Sequence, residues 1–301
     1  MSTATAPTPA PATAPAQAPR KGVGARIVGW LTKAPLQVVL IFVALLWLVP
    51  TIGLFLTSLL SPGASADNGW WKIFAEPSLA TFDNYQAIFD NRDITSSLGT
   101  TAVIAVGGTV LPILIGALAA YAFAWLEFPG RDWIFIAVIG MLVVPIQMAL
   151  IPMFSLYNDL NIFDTELSLI LFHTAFGLPF AIFLLRNFFI GIPKELLEAA
   201  RLDGASEWRI FMRVVLPLGM PAIAALAVFQ FIWTWNDLIV ALTLARDTQP
   251  ITVAIFSQLR QFGSNIDLIA PASFVSLAIP LAMFFAFQRY FVQGLLAGAV
   301  K

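Results

Sequence analysis

Glu198-Ala199-Ala200-Arg201-Leu202-Asp203-Gly204, running on to Val214-Val215-Leu216-Pro217, is a polar interruption between strongly apolar segments of this 301-residue chain. Pro193 opens it, at a position where a missing N–H does no harm because the first amides of a helix are unpartnered anyway. Gly204 closes it, since glycine is the usual left-handed residue after a helix C-terminus. A helix over 194–203 follows, with Leu196, Ala200 and Gly204 on one stripe at i, i+4 and i+8. Small residues on that stripe let another surface approach the backbone closely. Ser206 then caps a second helix, in which Trp208, Phe211, Met212 and Val215 share an apolar face opposite Arg209 and Arg213.

The segments on either side settle the class. Of the whole chain 59% is hydrophobic and 11% charged, whereas soluble domains carry roughly 25% charged residues. The charge-free runs are 34–66, 94–126, 133–158, 167–185, 214–236 and 268–288. Each holds the roughly 20 apolar residues that cross about 30 Å of hydrocarbon as a helix. The expectation is an all-α integral membrane protein with six spans, at 36–60, 98–124, 133–155, 167–188, 218–242 and 270–292. Ala64-Ser65-Ala66 resembles a cleavage site, but the apolar run before it exceeds the roughly 7–15 residues of a signal h-region, so the first span is read as retained. Residues 1–20, rich in Ala, Pro and Thr, read as a disordered tail; residues 21–301 form the membrane domain, with the polar loop at about 192–216.

Even-numbered spans put both termini on one side. Of the 16 cations, twelve fall on that side: Arg20, Lys21, Arg26, Lys33, Arg131, Arg186, Lys194, Arg201, Arg209, Arg213, Arg289 and Lys301. Only Lys72, Arg92, Arg246 and Arg260 lie opposite. The bias places both termini and the Glu198 loop in the cytoplasm. In the longest external loop, about 61–96, Phe82, Tyr85, Ile88 and Phe89 space like a short amphipathic helix on the membrane surface.

The absence of cysteine excludes disulfides and thiolate chemistry, and a single histidine, His173, excludes a histidine-rich metal site. No G-x-x-x-x-G-K-[ST] occurs, so the chain carries no phosphate-cradling loop of that kind. Gln147, His173, Thr174, Gln230, Thr234, Asn236, Ser273 and Ser276 are the notable polar groups within the spans. Their default role is bridging helices; their functional role is bonding a hydroxylated solute on its way through, for which Gln147, Gln230, Thr234, Asn236, Ser273 and Ser276 are the candidates. Trp233 and Trp235 suit either an interfacial belt or stacking on a sugar face. Asp237, at a span boundary, reads as a helix-end group, and no second titratable residue neighbours His173 in sequence.

The pattern Glu198-Ala199-Ala200, three residues, Gly204, nine residues, then Val214-x-Leu216-Pro217 resembles the signature loop of permease subunits in binding-protein-dependent ABC importers. Asp83-Asn84-Tyr85, Ala119-Ala120-Tyr121-Ala122, Val144-Pro145-Ile146-Gln147, Ile151-Pro152, Ile192-Pro193-Lys194-Glu195-Leu196, Trp235-Asn236-Asp237 and the ending Gln293-Gly294-Leu295 through Lys301 are similar to the carbohydrate-uptake, maltose-type second permease branch. The resemblance covers about residues 36–301; Val214 replaces the family's usual Ile, and Trp125 stands where a basic residue is common. It implies a type I importer permease with a cytoplasmic coupling helix. Glu198, Ala199, Ala200, Asp203, Gly204, Leu216 and Pro217 would couple to a cytoplasmic ATPase. The partners implied are a second permease, two ATPase subunits that bind the ATP, and an extracytoplasmic solute-binding protein. This chain would hold no cofactor and perform no chemistry, only alternating access for a sugar or polyol. An ion-coupled secondary transporter is the alternative, and it would need acids or bases within the spans, which are nearly free of them. A membrane-embedded transferase would need a catalytic constellation, and external Asp83, Asp90 and Asp93 lack a paired base.

Overall fold

A computed structural model describes residues 23–61, 63–64, 69–262 and 266–299; the Ala/Pro-rich stretch 1–20 lies outside them. Five helices among these are long and apolar enough to cross a membrane, and a sharply bent pair makes a sixth span. They belong to two compact units, Met1–Ile52 and Gly53–Lys301. The first unit contains the start of α1 (Val23–Ser58), whose side chains from Val38 to Trp47 are all exposed and apolar, the surface expected of a helix meeting lipid or another apolar chain.

The second unit contains the rest. Short α2 (Asp83–Asp90) leads into α3 (Arg92–Trp125), which Asn91 caps by accepting the amides of Asp93 and Ile94. α4 (Arg131–Gly140), a 3₁₀ turn and α5 (Ile146–Asp159) follow, then α6 (Glu166–Ile190), α7 (Lys194–Leu202), α8 (Glu207–Trp235), α9 (Ile239–Leu244), α10 (Ile251–Phe262) and α11 (Ile266–Ala299). Among the described residues the only extended pairing is an isolated bridge between Leu60 and Ala80.

Three expected spans are corrected. The third is not one continuous helix over 133–155: Val144 is extended, Pro145 precedes α5, and the two halves meet at 99°. Proline disfavours helical geometry in the residue before it and offers no N–H to the Met141 carbonyl, so the chain breaks there. The fifth span does not continue to 242 but ends at Trp235, and it begins earlier than 218, at Glu207, with a π-helical turn over Phe211–Val215. Pro217 explains that turn, because it leaves the Arg213 carbonyl without its i+4 donor. The second span likewise starts at Arg92 rather than 98. In α2 Ile88 is fully buried, while Phe89 and, just before the helix, Phe82 are exposed. Asn84 holds α2 in place, donating to the carbonyls of Ser58 and Leu60 at 3.0 and 2.6 Å.

α3, α6 and α8 form the packed centre, and small residues bring them close. A Cβ on Gly116 of α3 would sit 2.8 Å from Ala181 Cβ of α6, and one on Gly177 of α6 would sit 2.5 Å from Gln230 Nε2 of α8. Lipid gives apolar helices no reason to associate, so such close approach and interhelical hydrogen bonds hold them. Gln230 supplies the central bond: its amide donates to the carbonyls of Gly108 in α3 (3.0 Å) and His173 in α6 (3.3 Å). Gly108 lies four residues before Pro112, so its carbonyl has no helical donor. One buried side chain thus satisfies a backbone acceptor that the bilayer could not.

At the end of the bundle where α3 and α6 begin, a carboxylate does the same work for donors. Asp164 Oδ1 accepts the amides of Arg246, Asp247 and Thr248 at 2.7, 3.0 and 3.0 Å, and the Thr248 hydroxyl donates to the Asp164 carbonyl at 2.8 Å. Asp164 is left-handed (φ 58°), a conformation that Asp and Asn tolerate better than other side chains. Partial burial by itself would raise its pKa, but the three backbone donors outweigh that and hold the carboxyl below its ordinary value of 3.8.

Two outcomes are expected. Gln230→Leu strands the Gly108 carbonyl and lowers stability by about 1–2 kcal/mol; because Ala at 112 restores a backbone donor, the same change in a Pro112→Ala background has a smaller effect on the melting of the detergent-purified protein. Asp164→Asn keeps the left-handed backbone but removes the charge, weakening the loop clasp by about 1 kcal/mol. A depressed carboxylate stabilises above its ordinary pKa and ceases to as pH falls through its lowered one. The difference between wild type and Asp164→Asn in melting temperature is therefore constant from pH 7 to 5 and shrinks below pH 3.8.

Candidate functional site

At the end of the bundle where α3 and α6 finish, α7 lies against an apolar cluster. Leu197 is completely buried, with Tyr121, Phe189, Ile192, Ile210, Phe211 and Val215 in the same cluster. The helix runs Lys194–Leu202, one residue shorter than 194–203, and Pro193 precedes it rather than occupying its first turn. Its end is a Schellman motif: the Gly204 amide donates to the Arg201 carbonyl and the Ala205 amide to that of Ala200, both at 3.0 Å. Gly204 has φ +76°, and no atom lies within 4 Å of the position a Cβ would take.

This geometry sorts the residues that the resemblance singled out for coupling. Glu198, Ala199, Asp203 and Gly204 are exposed, whereas Ala200 is half-buried against the cluster. The stripe Leu196-Ala200-Gly204 is therefore not a single open face, because Gly204 has left the helix and Ala200 turns inward. Leu202, which the spacing did not single out, is the most open apolar side chain of the loop at 89% exposure; its place just before Gly204 was the available signal. Leu216 is half-buried and Pro217 exposed, both in α8 beside the π turn. Glu198 pairs with Lys194 at 2.9 Å, not with Arg201. That bond, first among the causes, raises the Lys194 pKa. Arg201 turns instead to Glu207, whose side chain also accepts the Tyr121 hydroxyl. Ser206 caps α8 as expected, accepting the Arg209 amide at 3.4 Å. On the apolar face Phe211 and Val215 are buried and Trp208 and Met212 exposed, with the Trp208 and Phe211 rings in contact, centroids 5.8 Å apart.

The polar groups of the spans are dispersed. Gln230 serves Gly108 and His173; Ser276 accepts the Trp235 indole N–H through its carbonyl (3.0 Å) and hydroxyl (3.3 Å). Thr174 donates to the Ile170 carbonyl in its own helix. Thr234 is buried beneath Gly108, its hydroxyl without a partner among the described residues. Gln147 and Asn236 are exposed and Ser273 half-buried. Trp235 is buried and stacked on Phe231, while half-buried Trp233 lies perpendicular to the His173 ring, centroids 5.0 Å apart. Distance in sequence misled on His173: Asp237 Oδ2 lies 3.6 Å from its Nε2. Asp237 does act at a helix end, accepting the Val240 and Ala241 amides that open α9.

A 1040 Å³ cavity opens where α3 and α6 begin, lined by hydroxyls and amides of Ser96, Thr100, Thr165, Thr248, Gln249 and Ser257 together with Asp93 and Glu166. None of the six residues expected to line a solute path borders it. Its walls come from helix starts and loops, which the search for polar residues within spans passed over.

Residues 112–297 match the family described as binding-protein-dependent transport system inner membrane component. The osmoprotective compounds uptake permease protein GgtD of Synechocystis sp. is 43% identical over 89% of this chain and 92% of its own. The alpha-glucoside transport system permease protein AglG of Rhizobium meliloti is 46% identical over 75% of this chain and 61% of its own, and the trehalose transport system permease protein SugB of Mycobacterium tuberculosis 38% over 84% and 92%. Among solved structures, a chain of a bacterial ABC transporter involved in alginate import shares the fold, with TM-score 0.69 and 24% identity over 91% of this chain and 100% of that one. With its apolar spans, its bent third span and its short amphipathic helix before the fifth, the chain belongs to the inner membrane components of binding-protein-dependent transport systems.

Proposed function

We propose that this chain is one of two permeases in an ATP-driven importer of a sugar or closely related polyol. The end where α3 and α6 begin faces outward, toward an extracytoplasmic binding protein, and α7 and both termini face the cytoplasm. The carrying observation is α7 itself: nine residues anchored by one buried leucine, with Glu198, Ala199, Leu202, Asp203 and Gly204 turned outward. So short a helix is unstable alone; fixed on a core, it offers a mixed face of two small residues, two carboxylates and Leu202 to a cleft in a partner. That partner is a cytoplasmic ATPase, two copies of which bind and hydrolyse ATP, while this chain takes no cofactor. Closure of the ATPase pair moves α7 and rocks the two permeases between outward- and inward-facing states. Relatives whose names specify alpha-glucosides and trehalose support a neutral, hydroxylated solute. Of the earlier candidates, Gln147, Asn236 and Ser273 remain exposed enough to meet it; Gln230, Thr234 and Ser276 act as helix-packing groups.

The His173–Asp237 pair is the one feature an ion-coupled carrier would share, and Asp237 already serves the start of α9. Uptake of radiolabelled trehalose or maltose into membrane vesicles is expected to persist when the proton gradient is collapsed and to stop when ATP is depleted; the reverse would make the chain an ion-coupled carrier. Gly204→Asp is expected to abolish uptake while the protein still inserts, because an added carboxylate finds open space within the chain and meets only the docked partner. Gly204→Asn, similar in size and at home in the left-handed region, should retain more of it. ATPase co-purification with each variant reads the docking directly, and a Gly204→Asp chain that keeps both ATPase and uptake removes α7 as the docking element.

A further inference from the structure

We propose that Tyr121, Glu207 and Arg201 form a tie that carries displacement of α7 into α3, with Glu207 as its positioning residue. The inference rests on the docking role of α7. Between α7 and α8 the chain passes Asp203–Ser206, where Gly204 is left-handed and touches nothing that would brace a side chain. A push on α7 would be absorbed by such a loop. Arg201, in the last turn of α7, bridges it by donating Nε to Glu207 Oε1 (2.9 Å) and Nη2 to Oε2 (3.3 Å) in the first turn of α8. The Tyr121 hydroxyl, from the last turn of α3, donates to Oε2 as well. One carboxylate therefore fastens three helices. Tyr121 is 5% exposed and its ring packs on Phe211, which fixes the hydroxyl's direction.

Leu197 also joins α7 to this region, but apolar contact resists separation without fixing direction. A two-pronged guanidinium–carboxylate bond does fix it. The Arg201–Glu207 pair is half open to water, where ion pairs add little to stability, so its distinguishing effect is geometric. From Tyr121, α3 runs back through Gly116 against Ala181 and Gly108 against Gln230 to Thr100 in the polar cavity.

The chain has no cysteine, so Thr100→Cys gives it a single thiol at the far end of that path. Its reaction with a membrane-impermeant maleimide, followed on this chain in the importer complex purified from membranes, is compared with and without ATP. Expected is a labelling rate that depends on ATP with an intact tie. In Glu207→Gln and Tyr121→Phe the ATPase should co-purify and hydrolyse ATP as before, while the ATP-dependent change in labelling falls at least about fivefold. The double variant should do no worse than either alone, since both cut one connection. Labelling that responds to ATP as before, or release of the ATPase by Glu207→Gln, overturns the tie. Failure of the docking role shows separately, as Gly204→Asp retaining the ATPase.

Discussion

A peptide carbonyl in hydrocarbon must be given a donor, and proline removes one four residues behind it. Three of the chain's prolines show three outcomes. At Pro112, near the middle of α3, the helix stays straight enough to pack because Gln230 reaches across from α8 and donates to Gly108. At Pro145 no side chain intervenes and the helix breaks into α4 and α5 at 99°. At Pro217 the backbone rearranges locally into a π turn as α8 begins its apolar run. Only the first solution draws helices together, which is why the packed centre lies where Gln230 crosses α3 and α6. The bent span and the π turn sit at its margins, where a change of direction does not disturb that packing.

The same economy governs the loops. Asp164 satisfies three consecutive amides with one oxygen, and Asp237 satisfies the opening amides of α9. Helix starts and turns cluster at that end of the bundle, so free N–H groups cluster there too, and acidic side chains answer them. The opposite end holds the C-termini of α3, α6 and α7. There the Schellman closure at Gly204 meets the needs of the α7 C-terminus within the backbone, leaving Arg201 free to reach Glu207.

The sequence makes the spans legible because a charge inside hydrocarbon is so unfavourable that uncharged runs mark them. It also makes the α7 loop legible, because Pro193, Gly204 and Ser206 act within a few residues of themselves. Placement of the breaks was harder. Pro112, Pro145 and Pro152 look alike in sequence, yet only Pro145 breaks its helix, and what spares Pro112 is a glutamine 118 positions away in the chain. Pairings such as Asp164 with the amides of 246–248, or His173 with Asp237, join residues far apart in the chain, and no local pattern announces them. Small residues were visible as a class, but whether Ala200 faces a partner or the core depends on where Leu197 anchors the helix.

Several of the polar residues within apolar spans hold other helices in place, and the reason is general to membranes. A polar side chain at mid-bilayer must find a partner wherever it sits, so folding claims it first: Gln230 for Gly108, Ser276 for Trp235. A passing solute is better served by groups that water already satisfies and can release without loss. Such groups occur at helix starts and loops, where Ser96, Thr100, Thr165, Thr248 and Gln249 line the open cavity. Exchange of water for a sugar hydroxyl there is nearly even in hydrogen bonds, which suits a carrier that must let go of what it holds. Tight, buried polar bonds of the Gln230 and Ser276 kind hold the scaffold together.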